Sequence, residues 1–247
     1  MRSTQHPTVF VCLLFFLALC VPKLQAQGVS VSAKILLHLQ GQPGDARQKH
    51  KTVPNAADVV VWLEPLQATS SRLENPPRQI PRLVQKGKQF SPHLLVIPTG
   101  TSVEFPNQDP FFHNVFSLYN GKRFDLGLYE PGTSRSVRFD REGVSYIFCN
   151  IHPQMGAIVL ALKTPYYGIS TTDGTVLIRN VPPGSYRLNL WSEKAQTEAS
   201  AEASRVVQVS TTDLSLGDLT LQQTPNPMGD HKNKFGEEYS SSPTPRY

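Results

Sequence analysis

The chain has 247 residues, of which 39% are hydrophobic and 17% are charged, with 21 prolines and a formal net charge of +5. This length allows one large domain or two modest domains, and the many prolines disfavour a long helical protein. The modest positive charge gives no indication of a nucleic-acid partner. We therefore expect a β-rich chain.

The first 26 residues have the pattern of a secretory signal peptide. An apolar run from Val9 to Val21 follows Arg2, and Ala26 offers a small residue for cleavage. The run is thirteen residues long, short of the roughly 20 that a membrane-spanning helix needs. We expect cleavage near Ala26, export to the periplasm or an equivalent space, no stable membrane span, and a mature net charge of +3.

Two strand-like runs follow the signal, VSVSAKILLHL and ADVVVWLEPL, separated by a polar loop. The next stretch, Ala68–Phe90, is rich in proline, serine and basic residues, and we expect a surface excursion without a central strand. Its positive charges, from Arg72 to Lys88, could steer an acidic partner.

Short strand candidates then succeed one another from Phe90 to Lys163, punctuated by glycine, proline and asparagine, as is typical of a β-sandwich. A second β-unit begins near Pro165, where Tyr186, Leu188 and Leu190 alternate with polar residues as in a half-buried strand. The last 25 residues are polar and lack periodicity, so we expect a disordered tail.

Signal cleavage leaves Cys149 as the one remaining cysteine, and it opens the motif CNIHPQM, with His152 and Met155 at three-residue intervals. A thiolate, an imidazole and a thioether form a soft ligand set. Copper that cycles between two oxidation states prefers one cysteine, two histidines and a weak axial methionine. His113 is the natural second histidine, because it lies just after a turn and at the start of a strand.

Three other interpretations of these residues are possible. Zinc would accept Cys149, His113 and His152, but thioether is a poor zinc ligand and structural zinc sites usually use several cysteines. A cysteine nucleophile would need a general base and an oxyanion hole, and Met155 would have no role in it. In a purely structural interpretation, Cys149 and Met155 fill the core. The combination of four residues favours copper.

The motif CNIHPQM and the HNV segment at His113 resemble the ligand segments of cupredoxins in the plastocyanin and azurin group, with an amicyanin-like loop. The whole stretch Phe90–Lys163 is similar to exported proteins described as methylamine-utilisation or plastocyanin-like. The resemblance implies a Greek-key β-sandwich, an exposed electron-transfer edge at His152, and an Asn114 side chain that ties the His113 segment to the Cys149 loop. It also implies one type 1 copper ion held by His113, Cys149, His152 and Met155.

The sequence DGTVLIRNVPPGSYRLNLW in the second unit resembles the carboxypeptidase regulatory-like, transthyretin-type β-sandwich. The predicted fold is therefore all-β, a cupredoxin sandwich followed by a small transthyretin-like sandwich. The predicted organisation is a signal peptide (1–26), a copper domain with N-terminal strands and a proline-rich insertion (27–163), a second sandwich (164–222) and a tail (223–247).

These expectations imply an exported blue copper protein that shuttles single electrons between a protein donor and a protein acceptor. The alternative is a non-redox copper-binding or structural accessory module of an exported assembly. Four protein ligands leave no open position for a substrate, so we do not expect an enzyme. We expect His93, at the start of a strand, to be hydrogen-bonded scaffold.

Overall fold

The computed structural model describes residues 28–39, 55–67, 79–118, 121–195, 205–223 and 232–239. All regular secondary structure within these ranges is β-strand, which confirms the predicted all-β class. No helix of membrane-spanning length and apolarity occurs in the described residues. The predicted signal peptide, residues 1–26, lies outside them.

Sixteen strands are described. The first eight are β1 (Val29–Leu39), β2 (Val60–Pro65), β3 (Val84–Gln85), β4 (Phe90–Ser91), β5 (Leu94–Pro98), β6 (Thr101–Pro106), β7 (His113–Ser117) and β8 (Phe124–Tyr129). The others are β9 (Ser134–Phe139), β10 (Gly143–Cys149), β11 (Gly156–Leu162), β12 (Tyr167–Ile169), β13 (Thr175–Val181), β14 (Gly184–Trp191), β15 (Arg205–Val209) and β16 (Leu214–Gln223).

The strands form two sandwiches. The second sandwich, which contains the strands after Pro165, pairs the sheet β13-β1-β16 with the sheet β12-β2-β14-β15, and its core includes Leu37, Leu63 and Leu188. The first sandwich, which contains Cys149, combines the five-stranded sheet β5-β11-β10-β7-β8 with the β6-β9 and β3-β4 pairs, and its core also includes Phe105. The predicted strand from Tyr186 to Leu190 is present, with its three apolar residues buried.

A third apolar cluster joins the two sandwiches. It contains Val60 of β2 and Leu160 of β11, whereas their neighbours Val61 and Val159 belong to the separate sandwich cores. Both strands are therefore covered on both faces. This double burial explains why their sequences are continuous apolar runs without the alternation of a half-solvated strand.

The N-terminal strands belong to the second sandwich, which differs from the predicted copper domain of residues 27–163. Strand β1 pairs antiparallel with β13 and parallel with β16, and β2 lies between β12 and β14. The physical reason is that the second unit is too small to cover its own apolar faces. Strands β1 and β2 supply the missing partners.

The proline-rich insertion contributes to the first sandwich. Within its described part, from residue 79, Leu83 and Gln85 are fully buried and the β3-β4 hairpin packs beside β6. This end of the insertion is therefore not the surface excursion that we predicted. Arg72 and Arg78 lie outside the described residues, and the steering role of the basic stretch stays a prediction.

Candidate metal centre

Strand pairing brings the two segments of the predicted site together. Strand β7 begins at His113 and is buried along its whole length, and it pairs antiparallel with β10, which ends at Cys149. A tight loop leads from Cys149 into β11. The amide of Cys149 donates to the carbonyl of Met155 (3.3 Å), and the amide of Met155 donates to the carbonyl of His152 (3.0 Å).

Both histidine rings direct their Nδ1 atoms at the cysteine. Each Nδ1 lies 3.6 Å from the sulfur of Cys149, and the two Nδ1 atoms are 3.2 Å apart. Across the described residues, this is the one group of three or more histidine, cysteine or acidic side chains able to share a metal ion. Met155 is fully buried in the same core cluster as Cys149. The structure thus brings His113, Cys149 and His152 together, while the four-ligand assignment itself stays a prediction.

A buried carboxylate orients the His113 ring. The Nε2 atom of His113 lies 2.9 Å from Asp109, which is only 6% exposed and also accepts the amides of Gly87 (2.6 Å) and Lys88 (3.0 Å). With the ring proton on Nε2 facing the carboxylate, Nδ1 presents a lone pair toward the sulfur. Asp109 was not among the site residues predicted from the sequence. The one indication of its role in the sequence is that it lies four positions before His113.

Burial sets the protonation states of the ligand side chains. It lowers the pKa of His113, and burial together with the nearby His113 ring lowers the pKa of His152 to about 4. Burial raises the pKa of the Cys149 thiol, against hydrogen bonds from the amides of Asn114, Ile151 and His152. Burial also pushes the pKa of Asp109 up, but the hydrogen bonds that it accepts outweigh this, so its net shift is downward.

The site approaches the surface at His152. His113 is fully buried, whereas His152 is half-buried and is followed by the exposed Pro153. The Phe111 ring packs against both histidines, with centroids 5.2 Å from His113 and 5.5 Å from His152. Beside it, Phe112 is 43% exposed. The more accessible histidine therefore packs against one aromatic ring and is followed by an exposed proline.

The predicted role of the Asn114 side chain is wrong. Its amide group donates to the carboxylate of Asp125 at 2.7 Å, not to the Cys149 loop. The two ligand segments are tied by backbone instead, because the amide of Asn150 donates to the carbonyl of Asn114 at 3.4 Å. The physical reason is the position of β8, which places Asp125 beside the Asn114 side chain.

His93 is hydrogen-bonded scaffold, as expected. Its Nδ1 lies 3.2 Å from the carbonyl of Gly156, and its Nε2 lies 2.7 Å from the carboxylate of Glu193. The ring therefore links the start of β5 to the residue that follows β14 by two positions. It is outside the His113, Cys149 and His152 group.

Part of the predicted disordered tail is described and lies on the ligand loop. Residues 232–239 form a turn whose Tyr239 hydroxyl donates to the carbonyl of Cys149 at 3.0 Å. The prediction of disorder therefore does not describe this segment. The remaining tail residues, 224–231 and 240–247, lie outside the described part of the chain.

The chain matches no protein-family model, and no curated protein matches it. Among solved structures, it is similar to a purple cupredoxin from Nitrosopumilus maritimus, at 28% identity over 33% of this chain and 99% of that chain, with a TM-score of 0.30. It is also similar to the amicyanin of Paracoccus versutus, at 19% identity over 36% of this chain and 86% of that chain, with a TM-score of 0.32.

A third similar structure is a Cu-containing nitrite reductase from Thermus scotoductus, at 26% identity over 41% of this chain, with a TM-score of 0.33. This chain spans about a quarter of that reductase, 26% of its length. The solved structures similar to this chain thus include cupredoxins. The carboxypeptidase regulatory-like character of the second sandwich stays a prediction.

Proposed function

We propose that this protein is an exported type 1 copper protein that carries single electrons between a protein donor and a protein acceptor. The observation that carries the proposal is the convergence of the His113 and His152 Nδ1 atoms on the Cys149 sulfur, each at 3.6 Å. We propose Met155 as the weak fourth ligand, from its burial in the same core and its place in the motif.

This set of donor atoms suits copper better than it suits zinc. Two imidazoles, one thiolate and a thioether combine the ligands that copper accepts in both oxidation states. Structural zinc sites usually take more cysteines and would leave Met155 without a role. When bound, copper would supply a couple that accepts and returns one electron.

In this function, the protein would hold the ligand side chains in fixed positions. His113 and Cys149 lie on paired buried strands, and the amides of Asn114, Ile151 and His152 hydrogen-bond to the sulfur. Such fixed donors change little between oxidation states, which favours fast electron transfer. His152, the most exposed of the three converging ligands, is the ring that a redox partner would approach, and the exposed Pro153 follows it directly in sequence.

We infer a carrier without catalytic activity, since four protein ligands would leave no coordination position for a substrate. The alternative remains a copper-binding accessory module without redox cycling. The two functions differ in whether copper bound to these four residues changes its oxidation state. An electron carrier returns to its starting spectrum after each reduction and reoxidation, whereas a storage or structural module does not need to cycle.

The test is to add Cu(II) to the mature protein and record its visible spectrum and a redox titration. We expect an intense thiolate-to-copper charge-transfer band and reversible one-electron cycling. Cys149→Ser keeps the size of the side chain but should abolish the band, whereas the matched control His93→Gln, outside the site, should retain it. A pale, non-cycling centre in the unmodified protein would contradict the carrier and favour the accessory module.

A further inference from the structure

The segment Lys232–Tyr239, here called the strap, closes on itself as a compact turn. The side chain of Asn233 accepts hydrogen bonds from the amides of Phe235 (2.9 Å) and Glu237 (3.0 Å). The amide of Gly236 donates to the carbonyl of Asn233 at 3.0 Å. Hydrogen bonds within the strap therefore fix its conformation, and the strap contacts the first sandwich in that conformation.

Two hydrogen bonds join the strap to the ligand loop. The amide of Lys234 donates to the Asn150 side chain at 2.9 Å, and the Tyr239 hydroxyl donates to the Cys149 carbonyl at 3.0 Å. These bonds connect positions 84 and 90 residues apart in sequence. The strap thus contacts Cys149 itself and the residue that follows it.

A third contact reaches the other ligand segment. The Lys234 ammonium group lies 2.7 Å from the carboxylate of Asp125, in a pair where the lysine side chain is 23% exposed. The same carboxylate accepts the Asn114 side chain at 2.7 Å. Asn114 directly follows His113, and its backbone amide hydrogen-bonds to the Cys149 sulfur. A continuous chain of contacts therefore runs from Lys234 through Asp125 to the donor on the sulfur.

We propose that the strap is a built-in positioning element of the metal centre, in which Lys234 and Tyr239 hold both ligand segments from outside and raise the reduction potential. The inference rests on the proposed copper function. It adds that a segment of the tail after the second sandwich positions the ligand segments of the first sandwich. Lys234 acts through Asp125 and Asn150, and Tyr239 acts through the backbone carbonyl of Cys149, so both are positioning residues.

The direction of the effect follows from charge. An amide that donates to the cysteine sulfur withdraws electron density from it, and this favours the reduced centre. The Lys234 ammonium offsets the negative charge of Asp125, which would otherwise favour the more positive, oxidised centre. Loss of Lys234 removes the support for the amide and exposes the carboxylate charge. Both changes lower the reduction potential.

The experiment compares Lys234→Met with Lys232→Met in the full mature chain. Both substitutions remove one positive charge from the strap, but Lys232 forms its ion pair with Glu238 inside the strap (3.7 Å). We expect Lys234→Met to lower the ratio of Cu(I) to Cu(II) affinity by up to about tenfold, equivalent to about 59 mV for one electron. Lys232→Met should leave the potential unchanged.

A second measurement uses the metal-free protein and needs no redox activity. Hydrogen exchange of the Asn150 amide, which donates to Asn114, should be faster in Lys234→Met and in Tyr239→Phe than in the unmodified protein. The Lys232→Met control should exchange at the unmodified rate.

The outcomes separate this inference from the proposed function. If the unmodified protein binds no copper, or its copper does not cycle between oxidation states, the proposed electron-carrier function is overturned. Hydrogen exchange of the Asn150 amide would still test the positioning role of the strap. A blue, cycling protein in which both lysine variants have the same potential would overturn the positioning role. Unchanged exchange at Asn150 in Lys234→Met and Tyr239→Phe would overturn it independently.

Discussion

The Nδ1 atom of His113 lies 3.6 Å from the sulfur of Cys149, although 36 residues separate the two in sequence. The register of β7 and β10 produces this approach by placing Cys149 opposite Val115. Side chains alternate between the faces of a strand, so a slip of one residue would turn Cys149 away from the histidine. The site therefore depends on strand register as much as on the ligand motif.

The protonation states of the ligands predict the number of protons released on metal binding. Depressed pKa values keep the His113 and His152 rings neutral at pH 7, whereas the Cys149 thiol, with its raised pKa, carries its proton. Because a metal binds the thiolate, binding of a redox-inert ion such as Co(II) should release about one proton per ion at pH 7. Calorimetry in buffers of different ionisation enthalpy measures this number.

The matched control for proton release is Cys149→Ser, which keeps both histidines. It should bind the ion more weakly and release no proton at pH 7. Release of two or three protons by the unmodified protein would show that the rings are protonated in the metal-free state. That result would contradict the electrostatic description of the site.

Asp109 is predicted to support both stability and metal affinity. Asp109→Ala leaves the buried His113 ring donor without its acceptor, at a cost of about 1–3 kcal/mol, whereas the amides of the exposed residues Gly87 and Lys88 can hydrogen-bond to water instead. We expect a loss of about 1–3 kcal/mol in the free energy of unfolding of the metal-free protein. Chemical denaturation measures this loss.

Asp109→Asn tests the orienting role separately, because it keeps the shape of the side chain. Its weaker acceptor no longer fixes the His113 proton on Nε2, so metal affinity should fall by about 10–100-fold. The control is Asp140→Asn, which removes an exposed carboxylate paired with Lys122 and should change neither quantity measurably. Equal affinities for Asp109→Asn and the unmodified protein would show that the carboxylate does not orient the ring.

Local patterns in the sequence predicted the strands but not all of their partners. Alternation correctly identified β14, where Tyr186 and Leu188 are buried and Arg187 is exposed. The same kind of pattern could not assign β1 and β2 to the second sandwich. The apolar face of a strand predicts that another element covers it. Which element does so depends on the topology of the whole fold, and the sequence of the strand does not encode it.

The site shows the same division between local and tertiary information. The Cys149 motif lies within seven residues, so its chemistry could be inferred from spacing alone. Asp109 lies in an ordinary turn sequence, and its burial arises only when Gly87 and Lys88 fold over it. The strap has the composition of a disordered tail. Its order depends on contacts with Asp125 and Asn150 that no local pattern encodes.

The interface between the sandwiches is predicted to be a stabilising core. Leu160 is 2% exposed and belongs to the apolar cluster that joins them. Leu160→Ala should lower the free energy of unfolding by about 2–5 kcal/mol. The control Leu177→Ala removes the same atoms from a side chain that is 39% exposed, and should cost only about 1 kcal/mol. Equal effects of the two substitutions would show that the interface is not packed in solution.

The ion pair between His93 and Glu193 is predicted to make a pH-dependent contribution to stability. The hydrogen bond that His93 donates to the Glu193 carboxylate raises the pKa of His93 above 6.5, against the opposing effect of burial. Folding therefore favours the protonated ring. The stabilisation is fully present below about pH 6.5 and is lost as the pH rises through the raised pKa of the folded state.

Glu193→Gln isolates this contribution, because the pH dependence of His113, His152 and Cys149 is common to both metal-free proteins. The unmodified protein should be the more stable at pH 5.5, by less than about 1 kcal/mol, because the His93 side chain is 50% exposed and solvent screens the pair. The gap should shrink between pH 6.5 and 8.5 as His93 loses its proton. Denaturation curves across this range measure it, and a gap that stays constant with pH would show that His93 is not charged in the pair.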